Sequence, residues 1–498
     1  MRKISYILAT YIVLGLTFAS CNKNDDPTPP TSGIDKPIND FIWKGMNSWY
    51  NWQTNVPDLA NTKDDDQDAY NTYLNGFADP EDLFYSLLSQ EETKVDPVTG
   101  AISFKFSWIV DDFVALNNSF QGITKSFGIR LQAVKINTAG DIIFYVRYVA
   151  PNSPADLAGI KRGDIINALD GVVLNEGNYD ATVGKLSNET ITLSIVTENG
   201  MLIADKTITA VVISEDPIYL KKVFTDINGK KVGYLVYNGF RSSYNDELNA
   251  AFAYFKNEGI QELILDLRLN GGGSVLTSAY LASMINSVAG TETFAKLTFN
   301  AKHTSQSGSY TFQNTLNVYD ANGNKTGDES INRLTGINQL YVLASGSTAS
   351  ASEMIINGLR PFMPVKVIGT TTYGKNVGSI TLYDSPSSDF TDEDSANSAH
   401  LYAMQPIVFQ IYNKLDQSDY INGFVPDIEV KEYQYWNAIL PFGDENEVVL
   451  KAALDDIRGV SARQTKSLKF SEIKEFEVSK LEKRFEKEMY INDEFFNQ

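Results

Sequence analysis

A serine, a lysine and a run of three glycines carry the chemistry this sequence can do. Residues Tyr341-Val342-Leu343-Ala344-Ser345-Gly346-Ser347-Thr348-Ala349-Ser350-Ala351-Ser352-Glu353 read as an apolar strand passing through small residues into a helix. Ser350 and Glu353 stand at capping-box spacing, in which the serine caps the helix and the glutamate reaches back to it. The same turn suits a nucleophile, since the serine is fixed in orientation and the backbone N–H groups after it face developing negative charge. Such a serine needs a base. Twenty-five residues on, Lys375 closes Gly369-Thr370-Thr371-Thr372-Tyr373-Gly374-Lys375, after the strand Val365 to Ile368. A lysine between a glycine turn and a further strand can point back at the serine. The third piece is Leu263-Ile264-Leu265-Asp266-Leu267-Arg268-Leu269-Asn270-Gly271-Gly272-Gly273, a buried strand running into glycines whose backbone can approach a ligand closely and present its N–H groups. A phosphate loop would close with Gly-Lys-Ser/Thr; here Ser274-Val275 follow, which disfavours nucleotide binding. Taken singly, the pieces also read as a helix cap, a solvated lysine and a loop.

The elements that must position them follow an alternating order. Val232 to Tyr237 reads as a strand, Asn245 to Asn257 as a helix, Leu263 to Leu267 as a strand and Thr277 to Val288 as a helix. After a polar insertion at roughly 300 to 335 come the strand Leu340 to Ala344, the helix Ser352 to Leu359 and the strand Val365 to Ile368. Such alternation predicts an α/β domain over 213–440.

Upstream, residues 122–212 read as short strands: Gly128 to Val134, Ile142 to Tyr148, Ile165 to Leu169 and Ile191 to Val196. Between them, Ser153-Pro154-Ala155-Asp156-Leu157-Ala158-Gly159 is a short helix with its cap, its first-turn proline and its closing glycine in place. Lys161-Arg162-Gly163-Asp164-Ile165-Ile166 and the turn Asp170-Gly171 follow. The ordered set resembles a PDZ domain. The resemblance places Phe127, Gly128 and Ile129 in the loop whose amides hold a peptide's C-terminal carboxylate, ahead of a strand edge onto which the peptide adds. Residues 35–121 are rich in aromatics, including Trp43, Trp49, Tyr50, Tyr70 and Phe84, with helical spacing over Ile38 to Trp52 and Asp79 to Leu88. They predict a small helical domain whose aromatics form a core. Residues 441–498 are expected to be a helical tail.

Together the pieces are more specific than any one. Strand-Asp-Leu-Arg-X-Asn-Gly-Gly, then Ser-Ala-Ser-Glu, then Tyr-Gly-Lys, behind a PDZ-like segment, resembles the C-terminal processing (tail-specific) serine peptidases over roughly residues 122 to 430. The resemblance implies a multidomain α/β protein: an N-terminal helical domain, an α+β PDZ domain and a crotonase- or ClpP-like core. It implies Ser350 as nucleophile, Lys375 as general base, and backbone amides of Gly271 or Gly272 and of Ala351 as oxyanion hole. Many members place a base-orienting Gln four residues after the lysine, where this chain has Ser379. The chemistry needs no histidine. The lysine must be neutral to take the serine's proton, so Lys375 is expected to be buried with few carboxylates nearby. An inactive, peptide- or ligand-binding relative of such an enzyme is the alternative reading.

Composition narrows the classes. The chain has 498 residues, 43% hydrophobic, with a net charge of −20, which argues against a nucleic-acid-binding face. One Cys and two His, His303 and His400, exclude an internal disulfide and argue against a metal site; no cofactor is implied. Arg2 and Lys3 precede the apolar run Ile4 to Phe18, 15 residues long and short of the ~20 that span a bilayer. Thr17-Phe18-Ala19-Ser20-Cys21 resembles a bacterial lipobox, although Leu is usual where Phe18 stands. The expected division is a signal peptide over 1–20, a lipid on Cys21 and an extended tether over 21–34. The protein is thus expected in the cell envelope, held by lipid alone, and its expected partners are proteins or peptides with a free C-terminus.

Overall fold

In a computed structural model, residues 36–92, 94–95, 102–104, 106–288, 290–320, 324–460, 473–476, 481 and 485–491 are described. The expected signal peptide, Cys21 and the tether lie outside them. A six-stranded sheet forms the centre of the α/β region. Its spatial order is Ile218–Ile227, Lys230–Tyr237, Glu262–Asp266, Leu340–Ala344, Val365–Gly369 and Ile428–Glu429, antiparallel at the first pair and parallel thereafter. The central strands Glu262–Asp266 and Leu340–Ala344 are buried at every residue and centre on apolar runs because both faces are covered. Leu263 and Leu265 face the main core, which includes helices Asn245–Glu258, Val275–Ile285 and Ala351–Leu359, whereas Ile264 packs with helix Val448–Ile457.

A second six-stranded sheet runs Gly273–Ser274, Met489–Tyr490, Val377–Ser379, Ile407–Asn413, Thr293–Phe299 and Gly308–Thr311. The polar insertion contributes the last of these and a hairpin of Thr315–Tyr319 with Lys325–Ser330. The expected helical tail is corrected in part: Val448–Ile457 is a helix, but farther on Lys474–Glu475 and Met489–Tyr490 are strands, each completing a sheet built by another part of the chain.

The PDZ region is an antiparallel sheet in the order Leu202–Thr209, Thr190–Val196, Ile165–Leu169, Ile142–Val149, Ile129–Lys135 and Lys474–Glu475. Ser153 Oγ accepts the Asp156 N–H at 3.3 Å and starts helix Pro154–Leu157. The N-terminal region carries helices Pro37–Trp49, Gln67–Asn75, Pro80–Ser86 and Phe113–Phe120. Its aromatics are core, as expected: Trp43, Tyr50, Tyr70 and Phe84 are buried in the same cluster as helices Asn245–Glu258, Val275–Ile285 and Ala351–Leu359. Trp43 and Tyr70 meet edge to face at 5.0 Å.

A buried ion network fastens the PDZ region to the base of the glycine run. Arg268 bonds Asp266 at 2.7 Å and reaches Glu432 and Glu447 at 2.8 Å each. From the PDZ side, Arg162 pairs with Glu432 and Glu447, and Arg147 donates to the Arg268 carbonyl at 3.0 Å. Burial alone pushes the Glu432 carboxyl up, but Arg162, Arg268 and Arg147 together hold it well below the usual carboxylate range.

Candidate active site

Ser350 sits between strand Leu340–Ala344 and helix Ala351–Leu359 with φ of 64°, a left-handed conformation that costs a non-glycine residue ~1–3 kcal/mol. Neighbouring bonds hold it there. Ala349 N–H and Ser352 Oγ both donate to the Asn270 carbonyl, at 3.2 and 3.0 Å, and Thr348 Oγ1 donates to Leu267 O at 2.8 Å. The serine turn is thus stitched to the glycine segment. Ser350 is 0% exposed, and its Oγ stands in capping-box position toward the Glu353 N–H without forming a hydrogen bond.

The capping-box glutamate does more than close the helix. Glu353 Oε2 accepts the Ser350 N–H at 3.0 Å and the Lys375 N–H at 2.8 Å, while Oε1 accepts Gly374 N–H at 2.7 Å and Thr372 Oγ1–H at 2.5 Å. Burial pushes this carboxyl above its ordinary range, and the four donors pull it back. The spacing pointed only to a cap; that the same carboxylate gathers the lysine turn is a tertiary fact with no local signal.

Lys375 is 1% exposed, as its expected role requires. Its surroundings depart from expectation: Nζ donates to the Lys487 carbonyl at 2.8 Å and lies 3.4 Å from the Glu488 carboxylate. Both partners come from the tail, which the sequence reading had placed away from the chemistry. The Glu488 carboxylate also accepts the Trp108 indole N–H at 2.8 Å, and burial raises its pKa although Lys375 opposes the rise. The Phe106 ring lies 5.6 Å from the Lys375 ammonium.

The three glycines lie against both serine and tail. A Cβ on Gly272 would stand 2.7 Å from Ser350 Cβ and 3.1 Å from Ala351 N, so these expected oxyanion-hole members are neighbours. Their amides are not equally placed. Gly272 N–H is taken by Asn270 Oδ1 at 2.9 Å, and it is Gly273 N–H that holds a peptide carbonyl, Glu488 O, at 2.5 Å. Gly271 has no room for a side chain because the Glu486 carbonyl lies where Cβ would be.

Ser379 makes no hydrogen bond to the lysine itself, although its side chain acts on the Glu488 carboxylate that faces Lys375. Its hydroxyl donates to Met489 O at 3.2 Å and accepts from Gln405 Nε2 at 3.1 Å. Gln405, buried beside it, carried no motif that could have marked it. The two histidines serve elsewhere: His303 stacks on Trp49 at 3.5 Å beside Ser48, and His400 bonds Asp384 at 3.2 Å.

In the PDZ region Phe127 is buried in the core, and its carbonyl accepts Ala155 N–H at 3.1 Å. Gly128 has φ of +74° and presses against Ser153; its N–H donates to Ser126 Oγ at 3.0 Å. Ile129 opens the strand that pairs with Ile142–Val149. Among the described residues, no group of three or more His, Cys, Asp or Glu is placed to hold a metal, and no helix is long and apolar enough to cross a membrane.

Comparison with known proteins agrees with this geometry. Residues 231–430 match the model of peptidase family S41, residues 37–108 the peptidase S41 N-terminal domain and residues 145–197 a PDZ domain. A carboxyl-terminal-processing protease of Picosynechococcus is 27% identical over 66% of this chain and 69% of its own length. A CtpA-like serine protease of Staphylococcus saprophyticus is 25% identical over 61% of this chain, and the match spans 55% of that protein. A crystal structure from Bacteroides fragilis, named for the S41 proteases, superposes with a TM-score of 0.63 at 26% identity, covering 84% of this chain and 97% of the other.

Proposed function

Because the chain belongs to peptidase family S41, among C-terminal processing serine proteases, and carries a PDZ domain, we propose that it is an exported, lipid-anchored endopeptidase working through a Ser350–Lys375 dyad. Its substrates are proteins taken by their C-terminal tails at the PDZ groove. The observation that carries the dyad is the shared anchor: the backbones of a buried, unpartnered serine hydroxyl and a buried amine hang on one Glu353 oxygen.

The chemistry follows from those groups. Ser350 Oγ attacks a peptide carbonyl as Lys375 takes its proton. The oxyanion then faces the Ala351 amide at the start of helix Ala351–Leu359 and the Gly273 amide once Glu488 O has left it, where a preorganised site stabilises it. Lys375 next gives its proton to the leaving amine, and water frees the acyl-enzyme by the reverse path. The envelope location and the lipid on Cys21 rest on the N-terminal sequence.

The test is proteolysis of an unstructured protein with a short apolar C-terminus by residues 22–498, beside Ser350→Ala and Lys375→Ala of equal folded content. Cleavage by the parent alone supports the dyad. Cleavage by all three overturns it, and binding without cleavage favours a peptide-binding protein.

A further inference from the structure

We propose that two stretches of the chain's own C-terminal part, residues 473–476 and 485–491, act as a tethered ligand that fills both of its peptide-binding grooves and holds the dyad idle. The proposal rests on the peptidase reading above and names an occupant of that same site.

In the PDZ region the strand Ile129–Lys135 has one side paired with Ile142–Val149, and on its other side lies Lys474–Glu475. Pairing is antiparallel, with Lys474 opposite Lys135 and Glu475 opposite Val134, so the tail runs toward the Phe127–Gly128 turn. Phe476 N–H donates to Ala133 O at 3.2 Å, its ring meets Tyr179 edge-on at 4.8 Å, and Leu481 packs on the same core. Main-chain pairing at a sheet edge with side chains in apolar pockets is how such edges take extended peptides.

In the catalytic region the same tail returns as the strand Met489–Tyr490, parallel to Gly273–Ser274 on one side and Val377–Ser379 on the other. Gly273 N–H holds Glu488 O at 2.5 Å, Ser379 Oγ donates to Met489 O at 3.2 Å, and Ile491 N–H donates to Ser379 O at 3.4 Å. Both the Ser350 Cβ and the Glu488 carbonyl crowd the space beside Gly272. Arg130, on the PDZ edge strand, pairs with Glu486 at 3.4 Å and links the two halves.

The contact at the base gives the occupancy its effect. Lys375 Nζ donates to Lys487 O and faces the Glu488 carboxylate, which Trp108 fixes from its other oxygen. A lysine so engaged is not free to take the serine's proton, and no second strand can enter between Gly273 and Val377. The partner is a densely charged, aromatic-bearing part of this chain itself.

The test uses the intact chain (residues 22–498, Ser350→Ala) and hydrogen exchange at the amides of 485–491. Excess synthetic peptide of the sequence 473–491 is expected to speed exchange of the chain's own tail at least tenfold, with the central sheet unchanged. In parallel, Glu488→Lys in the intact chain, which sets an ammonium against Lys375, is expected to bind a fluorescent 485–491 peptide at least tenfold more tightly than the parent. With Ser350 restored it is expected to raise the rate of proteolysis by a similar factor. Tail exchange unmoved by saturating peptide, with no gain in binding by folded Glu488→Lys, overturns the proposal and leaves the tail a permanent strand. Displacement and tighter binding without proteolysis in any variant uphold the tethered ligand and overturn the peptidase reading alone.

Discussion

The backbone amides of Ser350 and Lys375 converge on a single atom, the Oε2 of Glu353, at 3.0 and 2.8 Å. The two residues are separated in sequence by helix Ala351–Leu359, strand Val365–Gly369 and the turns that follow each, yet one carboxylate sets their spacing. Glu353→Gln keeps the shape but puts an NH2 group where an N–H acceptor stood. The expected result is at least a hundredfold loss of cleavage and a stability loss of roughly 2–4 kcal/mol from unsatisfied buried donors. Urea unfolding beside peptidase assays checks it; wild-type activity in Glu353→Gln would remove the carboxylate from the positioning role.

Ser350 carries strain that only function requires. Its φ of 64° and its unpartnered buried hydroxyl both oppose folding. Ser350→Gly relieves both and is expected to stabilise the chain by about 1–3 kcal/mol while abolishing cleavage. Ser350→Ala removes only the hydroxyl and is expected to stabilise less. Denaturant midpoints of the two variants measure the backbone share by difference.

Glu488 gives the tail a pH signature. Its pKa in the folded chain is raised by burial, with Lys375 and Trp108 working against the rise. A group whose folded value lies above its unfolded one binds protons better when folded. Its contribution is therefore complete below the unfolded value of ~4.3 and is lost as pH climbs through the folded value. Wild type is expected to lose stability relative to Glu488→Gln as pH rises from about 4. Parallel unfolding curves across that range would show that the carboxyl keeps an ordinary pKa.

The ion network at the PDZ junction is a separate liability. Arg268→Met strips Asp266, Glu432 and Glu447 of their shared cation, with both Glu432 and Glu447 buried. A loss of roughly 3–5 kcal/mol is expected, as for other broken buried pairs. The double change Arg268→Met with Glu447→Leu is expected to recover part of it, because fewer charges are left stranded. Chemical denaturation of the single and double variants decides the point.

Where apolar runs were bounded by turn residues, the fold was legible. Leu340–Ala344 and Ile165–Leu169 fall where their sequences place them, because each strand is covered and writes its burial into every residue but Asn167. Strand Thr293–Phe299 was missed, since its threonines and Lys296 interrupt the run and its partner Ile407–Asn413 lies over a hundred residues away. The tail misled for a different reason. Ile473, Phe476, Leu481 and Phe485 have helix-like spacing, but two waiting sheet edges outweigh so weak a local preference. At the site, Ser350, Lys375 and the glycines were readable from short motifs. Gly273 as the carbonyl-holding amide and Glu353 as a common anchor depend on which way a loop turns.

A strand that belongs to the same chain as its groove competes at a concentration fixed by chain length, not by the solution. Effective concentrations of linked partners reach the order of millimolar. A protein arriving in trans meets Gly273 and Lys375 already engaged, so its apparent affinity is scaled down by the fraction of time the tail is away. An apparent KM of the intact chain then reports two equilibria at once. Substrates that also displace Lys474–Glu475 from the PDZ edge gain over those that meet the catalytic groove alone, and the chain discriminates between partners before any bond is cut.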